Sequence, residues 1–122
     1  MKIIRVERLI DAGEFSTTKE WKTIESHIMH AIKAIQWPPN SGSFTIYDQP
    51  GKGRGQGNGV KPIKDACMLH LKSFNWSLET PVDIATLKQP GPMDATYPVG
   101  SRLFCVEWET GNISSSHRAI NK

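Results

Sequence analysis

What the chain lacks narrows its class before any motif is weighed. No apolar run approaches the roughly 20 residues that a membrane-crossing helix needs. Residues 1–8 mix charged and apolar side chains without an apolar core, so no signal peptide is expected and the cytoplasm is the expected compartment. Cysteine is scarce: Cys67 and Cys105 are the two present, and neither belongs to a CxxC or Cys/His spacing, which argues against a zinc site. Each sits in an apolar stretch, and buried free thiols are expected in a reducing compartment. Excess charge is small, a formal +3, which permits nucleic-acid binding without demanding it. There is no internal repeat. The glycine-rich stretch over 51–59, GKGRGQGNG, fits neither GxGxxG nor GxxxxGK, so neither nucleotide-binding loop is read there.

The 122 residues suffice for one domain with one modest core, and a single domain over 1–122 is expected. Residues 1–10 read as a short strand or an arm. Thr17-Thr18-Lys19-Glu20 carries the Thr-x-x-Glu capping pattern, and Trp21, Ile24, Ile28, Ala31, Ile32 and Ile35 then recur at helical spacing. A helix over 18–35 is predicted, its apolar stripe serving as core and Trp37-Pro38-Pro39 stopping it. His27 and His30, at i, i+3 on that helix, read as surface or boundary residues rather than ligands. Alternation over 43–47 predicts a short strand, and the glycines of 51–59 a loop. Pro62 suits the first turn of a second helix with Ile63, Ala66, Cys67, Leu71 and Phe74 on its apolar face. A strand start is read at 76–79, a loop over 81–92 and a short strand over 93–97. The strongest strand signal lies over 102–109, RLFCVEWE. Gly111-Asn112 breaks it, and Ser114, Ser115 or Ser116 can cap a last helix starting near His117. The sequence stops barely a turn into that helix, too short to be stable alone, so a fragment is expected.

The chemistry is concentrated at the end of the strand over 102–109. Side chains alternate across a strand, so Leu103, Cys105, Glu107 and Glu109 share one face and Phe104, Val106 and Trp108 the other. The first half is apolar on both faces, which predicts a central strand. Glu107 and Glu109 then lie about 6–7 Å apart on one face. Like charges so close to a core are costly unless neutralised, and a hard divalent cation with oxygen ligands does that. Asp94, on the preceding strand candidate, can sit beside them. The plainer reading is a strand end emerging into water, and a pair of alternating acids alone does not exclude it.

The pattern Asp94-x(12)-Glu107-x-Glu109 resembles the motif of the PD-(D/E)xK nuclease superfamily. It is most similar to the branch of type II restriction endonucleases that includes the BamHI and BglII types, in which glutamate can replace the usual lysine, here at Glu109. Glu109-x-x-Asn112-x-Ser114-x-x-x-Arg118 repeats that branch's spacing of the last catalytic acid and DNA-contacting Asn, Ser and Arg. GNGVKPIK over 57–64 and WSLE over 76–79 also resemble the branch. One departure is that Pro92, not the residue directly before Asp94, supplies the nearby proline.

The resemblance implies an α/β fold, a restriction-endonuclease-like core with a central mixed sheet flanked by helices, the C-terminal part missing. It implies a Mg²⁺-dependent enzyme cutting double-stranded DNA at a short palindromic site containing GATC, acting as a homodimer. Asp94, Glu107 and Glu109 would be catalytic, with Asp94 and Glu107 binding Mg²⁺. Glu109 would orient or deprotonate the attacking water or help hold a second metal, and Glu79 is a further acidic candidate. Asn112, Ser114 and Arg118 would read bases. Asn112 and Ser114 are equally turn and cap residues. Lys61 and Lys64 would contact phosphate or simply form a solvated helix face, and the glycine-rich loop approaches DNA phosphate or is only flexible. Two other readings stay open: a non-cutting DNA- or partner-binding fragment of a nuclease-like protein, and an unrelated α/β protein with a solvated acidic strand end.

Overall fold

The computed structural model describes residues 1–9, 12–45, 60–82 and 91–109. The chain forms two compact units, Met1–Phe74 and Asn75–Lys122.

The first unit is helical. A short 3-10 turn, Phe15–Thr17, leads into α1, Lys19–Ala34. The cap is Thr18, whose hydroxyl accepts from the Trp21 amide at 3.1 Å. The Thr17-x-x-Glu20 pattern therefore marks the right place one residue early, because Thr17 is spent in the 3-10 turn and bonds back to the Glu14 carbonyl. Glu20 in the first turn and Lys33 in the last complement the helix dipole. Ile35 leaves the helical region, and Pro38 and Pro39 follow. At the far end the Met1 ammonium donates to the carbonyls of Lys33 (2.8 Å) and Ile35 (2.6 Å), acceptors the helix itself leaves without partners.

Helix α2, Val60–Ser73, packs on α1. Ile24, Ala31 and Ile35 from the predicted stripe are fully buried, and α2 contributes Ile63, Cys67, Met68 and Leu71. Burying a side chain such as Leu71 contributes about 1.5–3 kcal/mol. Phe74 stacks on His27 with ring centroids 4.5 Å apart. His27 is half-buried and His30 exposed, as their spacing suggested. Residues 1–9 form an arm rather than a strand, and in place of a strand at 43–45 there is one isolated bridge, Phe44 to Trp37. Residues 46–47 of that predicted strand, and the glycine-rich loop, lie outside the described residues.

The second unit is a three-stranded sheet: β1, Ser77–Thr80; β2, Met93–Val99; and β3, Arg102–Val106, in the order β1-β2-β3. Both pairings are antiparallel. The α/β class holds, and the described sheet is antiparallel throughout. Gly100 and Ser101 form the two-residue turn between β2 and β3, closed by the pair Val99 and Arg102. Gly100 has φ 58°, the left-handed value that a twist-matched hairpin demands at its first central position. Trp76 is buried and lies against Tyr97 (5.1 Å between centroids) and Phe104 (6.3 Å).

The central position belongs to β2, not to the strand over 102–109. Met93, Asp94, Ala95 and Thr96 are all buried, so β2 is covered on both faces. Strand β3 ends at Val106 and is an edge among the described residues: Phe104 and Val106 are half-buried, whereas Leu103 is 51% exposed. Its apolar residues on both faces suggested burial on both. The face that carries Leu103 and Cys105 is exposed, and the face that carries Phe104 and Val106 is half-buried. Cys105 lies on the exposed face, which corrects the expectation that it is buried, while Cys67 is buried as expected. Burial pushes the Cys67 thiol up to about 11.

Candidate active site

Asp94 is the second residue of β2 and is 7% exposed. A carboxylate this deep needs hydrogen-bond donors. The main-chain N–H of Trp108 donates to its Oδ2 at 2.7 Å, the short distance of a charge-assisted bond. Two positions along the strand, Thr96 is almost fully buried, and its hydroxyl meets that of Thr80 at 2.9 Å.

Pairing sets which acids are neighbours. Thr96 lies opposite Cys105, and Ala95 opposite Val106. The last pair is Ala95 and Val106, so Asp94 and Glu107 are the next residue of each strand, and continuing the register by one step would set them opposite each other. Opposed residues in an antiparallel pair project to the same face. The Cys105 thiol is raised first by burial and next by the Glu107 charge, as expected if Cys105 and Glu107 share that face. On the other side, Leu78 pairs with Ala95 and Thr80 with Met93, so Glu79 occupies the register position facing Asp94. Glu79 has φ 48°, an uncommon backbone conformation for a residue with a side chain. Counted along the register, Glu79, Asp94 and Glu107 thus fall on one rank by strand position, with Glu79 exposed and Glu107 beyond the paired residues.

Glu107 is half-buried and Glu109 exposed. Among the described residues no three Asp, Glu, His or Cys side chains are gathered so as to hold a metal ion. What the fold brings together is Asp94 and the segment 107–109, joined through the Trp108 amide. The rank consists of carboxylates, hard oxygen donors of the kind that Mg²⁺ and Ca²⁺ take. In donor chemistry these residues fit a hard divalent cation.

Of the proposed DNA-contacting residues, Asn112, Ser114 and Arg118 lie outside the described residues. Lys61 and Lys64 lie on α2. The Lys61 ammonium is exposed and pairs with Asp65 one turn on, at 2.7 Å; Lys64 is half-buried. Sequence reasoning did not find the Trp108 amide. Every residue except proline carries that donor, so no side-chain pattern points to it.

A family model described as "Restriction endonuclease BamHI" matches residues 1–122. The type II restriction enzyme OkrAI of Oceanobacter kriegii is 49% identical over 122 residues, which is 100% of this chain and 59% of that protein. The type II restriction enzyme BamHI of Bacillus amyloliquefaciens is 43% identical over 93 residues, 70% of this chain and 42% of that protein. The chain belongs to the BamHI restriction endonuclease family. It spans 59% and 42% of the lengths of these two relatives.

Proposed function

We propose that these residues are part of a single endonuclease domain of a type II site-specific deoxyribonuclease, which hydrolyses phosphodiester bonds of double-stranded DNA and works in the cytoplasm. The observation that carries this reading is the buried Asp94 bonded to the amide of Trp108, between Glu107 and Glu109, in a chain matched over its whole length by a restriction endonuclease family.

Asp94 and Glu107 would hold Mg²⁺, with Glu79 at the same rank as a further acid. When bound, the ion supplies Lewis-acid activation of water and neutralises charge on the phosphate. Glu109, exposed two residues beyond Glu107, would orient or deprotonate the attacking water or help hold a second ion. Asn112, Ser114 and Arg118 read base edges, and Lys61 and Lys64 contact phosphate. The enzyme acts as a homodimer on a palindromic site containing GATC, one set of readers per half-site.

The test is plasmid cleavage by the full-length protein. Mg²⁺-dependent cutting at one sequence, removed by chelation and by Glu107→Ala, is expected. Sequence-specific binding without cleavage under Mg²⁺ would instead support the non-cutting reading, and unchanged cutting by Glu107→Ala would remove Glu107 from the site.

A further inference from the structure

We propose that Asp94 is also a positioning residue: its Oδ2 holds the Trp108 main-chain N–H and thereby sets Glu107 and Glu109 against β2. This rests on the nuclease reading for its functional consequence, though not for its geometry. Strand β3 ends at Val106, and residues 107–109 carry no strand assignment. The segment that bears two of the three proposed catalytic acids therefore begins where β3 ends. Its described polar tie to β2 is a side-chain bond, Trp108 N–H to Asp94 Oδ2 at 2.7 Å.

The placement makes that bond effective. Asp94 is 7% exposed, so its bond to the amide is shielded from competing water. The Trp108 indole nitrogen is buried with no acceptor among the described residues, so that side chain contributes packing and the main chain contributes the polar hold. Trp108 stands between Glu107 and Glu109. Fixing its amide fixes the peptide plane that joins Glu107 to Trp108, and with it the point from which the chain runs on to Glu109. One oxygen of Asp94 is thus committed to orienting the neighbouring acids, the task that outer partners perform for metal ligands elsewhere.

Asp94→Asn and Asp94→Ala separate the two roles. Asparagine keeps a carbonyl oxygen that can accept from Trp108 and loses the charge; alanine loses both. In the full-length protein, hydrogen exchange of the Trp108 amide is expected to accelerate on the order of 10- to 100-fold in Asp94→Ala. It should stay within about threefold of wild type in Asp94→Asn, with the Thr96 and Cys105 amides unchanged in both. Both variants should lose cleavage. Wild-type protection of Trp108 in Asp94→Ala, or equal loss of protection along the whole β2–β3 hairpin, overturns the proposal.

Should Asp94→Ala not fold, an amide-to-ester replacement at Trp108 deletes the N–H while leaving every side chain in place. Mg²⁺ titration of that protein is expected to show a 10- to 100-fold weaker affinity, and wild-type affinity would overturn the proposal. If the variants show the predicted exchange pattern but the wild type neither binds Mg²⁺ nor cuts DNA, the nuclease reading is refuted and the Asp94–Trp108 tie stands.

Discussion

Replacing Lys61 with alanine separates a phosphate contact from a solvated lysine, and the structure sets the size of the effect. The ammonium lies on the first turn of α2, and the Lys61 side chain is 83% exposed, so DNA can reach it without desolvating a buried charge. Its described partner, Asp65, is 54% exposed and 2.7 Å away. An exposed pair of this kind contributes about 0.2–1 kcal/mol, so a phosphate displaces the carboxylate at a cost of at most about fivefold in affinity. Each phosphate neutralised contributes about 0.9 to the slope of log K against log salt. If Lys61 makes one such contact, Lys61→Ala lowers that slope by about 0.9. Between roughly 50 and 200 mM salt, the wild type then loses about 3.5-fold more affinity than the variant. Asp65→Asn removes the competitor and tightens binding up to about fivefold, a gain that vanishes in the Lys61→Ala background. The assay is duplex binding by fluorescence anisotropy, with full-length protein and chelator present to prevent cutting. An unchanged salt slope in Lys61→Ala refutes the contact and leaves Lys61 as a solvated residue paired with Asp65.

Two further expectations concern stability. Thr96→Val removes a buried hydroxyl from its 2.9 Å bond with Thr80 and should cost about 1 kcal/mol in denaturant unfolding. Thr80→Val combined with Thr96→Val should cost less than the two single changes added together; strict additivity would show that the pair is not coupled. His27, stacked on Phe74, has its pKa lowered from 6.5, first by burial and second by the neighbouring His30. The unfolded chain therefore takes up this proton first as pH falls. The His27 contribution is fully present above about 6.5 and is lost as pH drops through the folded value. His27→Phe keeps the stacking and should flatten that part of the stability profile; an unaltered acid-side slope would assign the effect to another group.

The helices were legible because their signals are local. The Trp21 to Ile35 stripe located α1 and its buried residues, and its ends, capped by Thr18 and Ile35, each fall one residue inside the predicted span. The second helix was placed by Pro62 and its apolar face, although it starts at Val60 and also buries Met68. The sheet was less legible, because centrality depends on partners distant in sequence. Strand β3 has the more apolar pattern, yet β2, with Asp94 and Thr96 among its buried residues, takes the middle. A chain-local signal did bear on this: Gly100-Ser101 is a two-residue hairpin turn between alternating stretches. Pairing β2 with β3 through it sets Val99 opposite Arg102, Thr96 opposite Cys105 and, as the last pair, Ala95 opposite Val106.

The pattern that proposes the three acids does not give their arrangement. Alternation alone puts Glu107 and Glu109 on one face and says nothing of depth. Depth follows from where pairing stops: at Val106, so that Glu107 stays half-buried and Glu109 emerges into solvent. It follows also from turn length. A one-residue change in a two-residue turn slips the register and carries every later side chain to the other face. Gly100, with its φ of 58°, is therefore part of the candidate site although it lies at the opposite end of the hairpin from Asp94. The left-handed turn fixes the register, the register brings Val106 opposite Ala95, and the Asp94–Trp108 bond carries the constraint past the end of the ladder to the two glutamates.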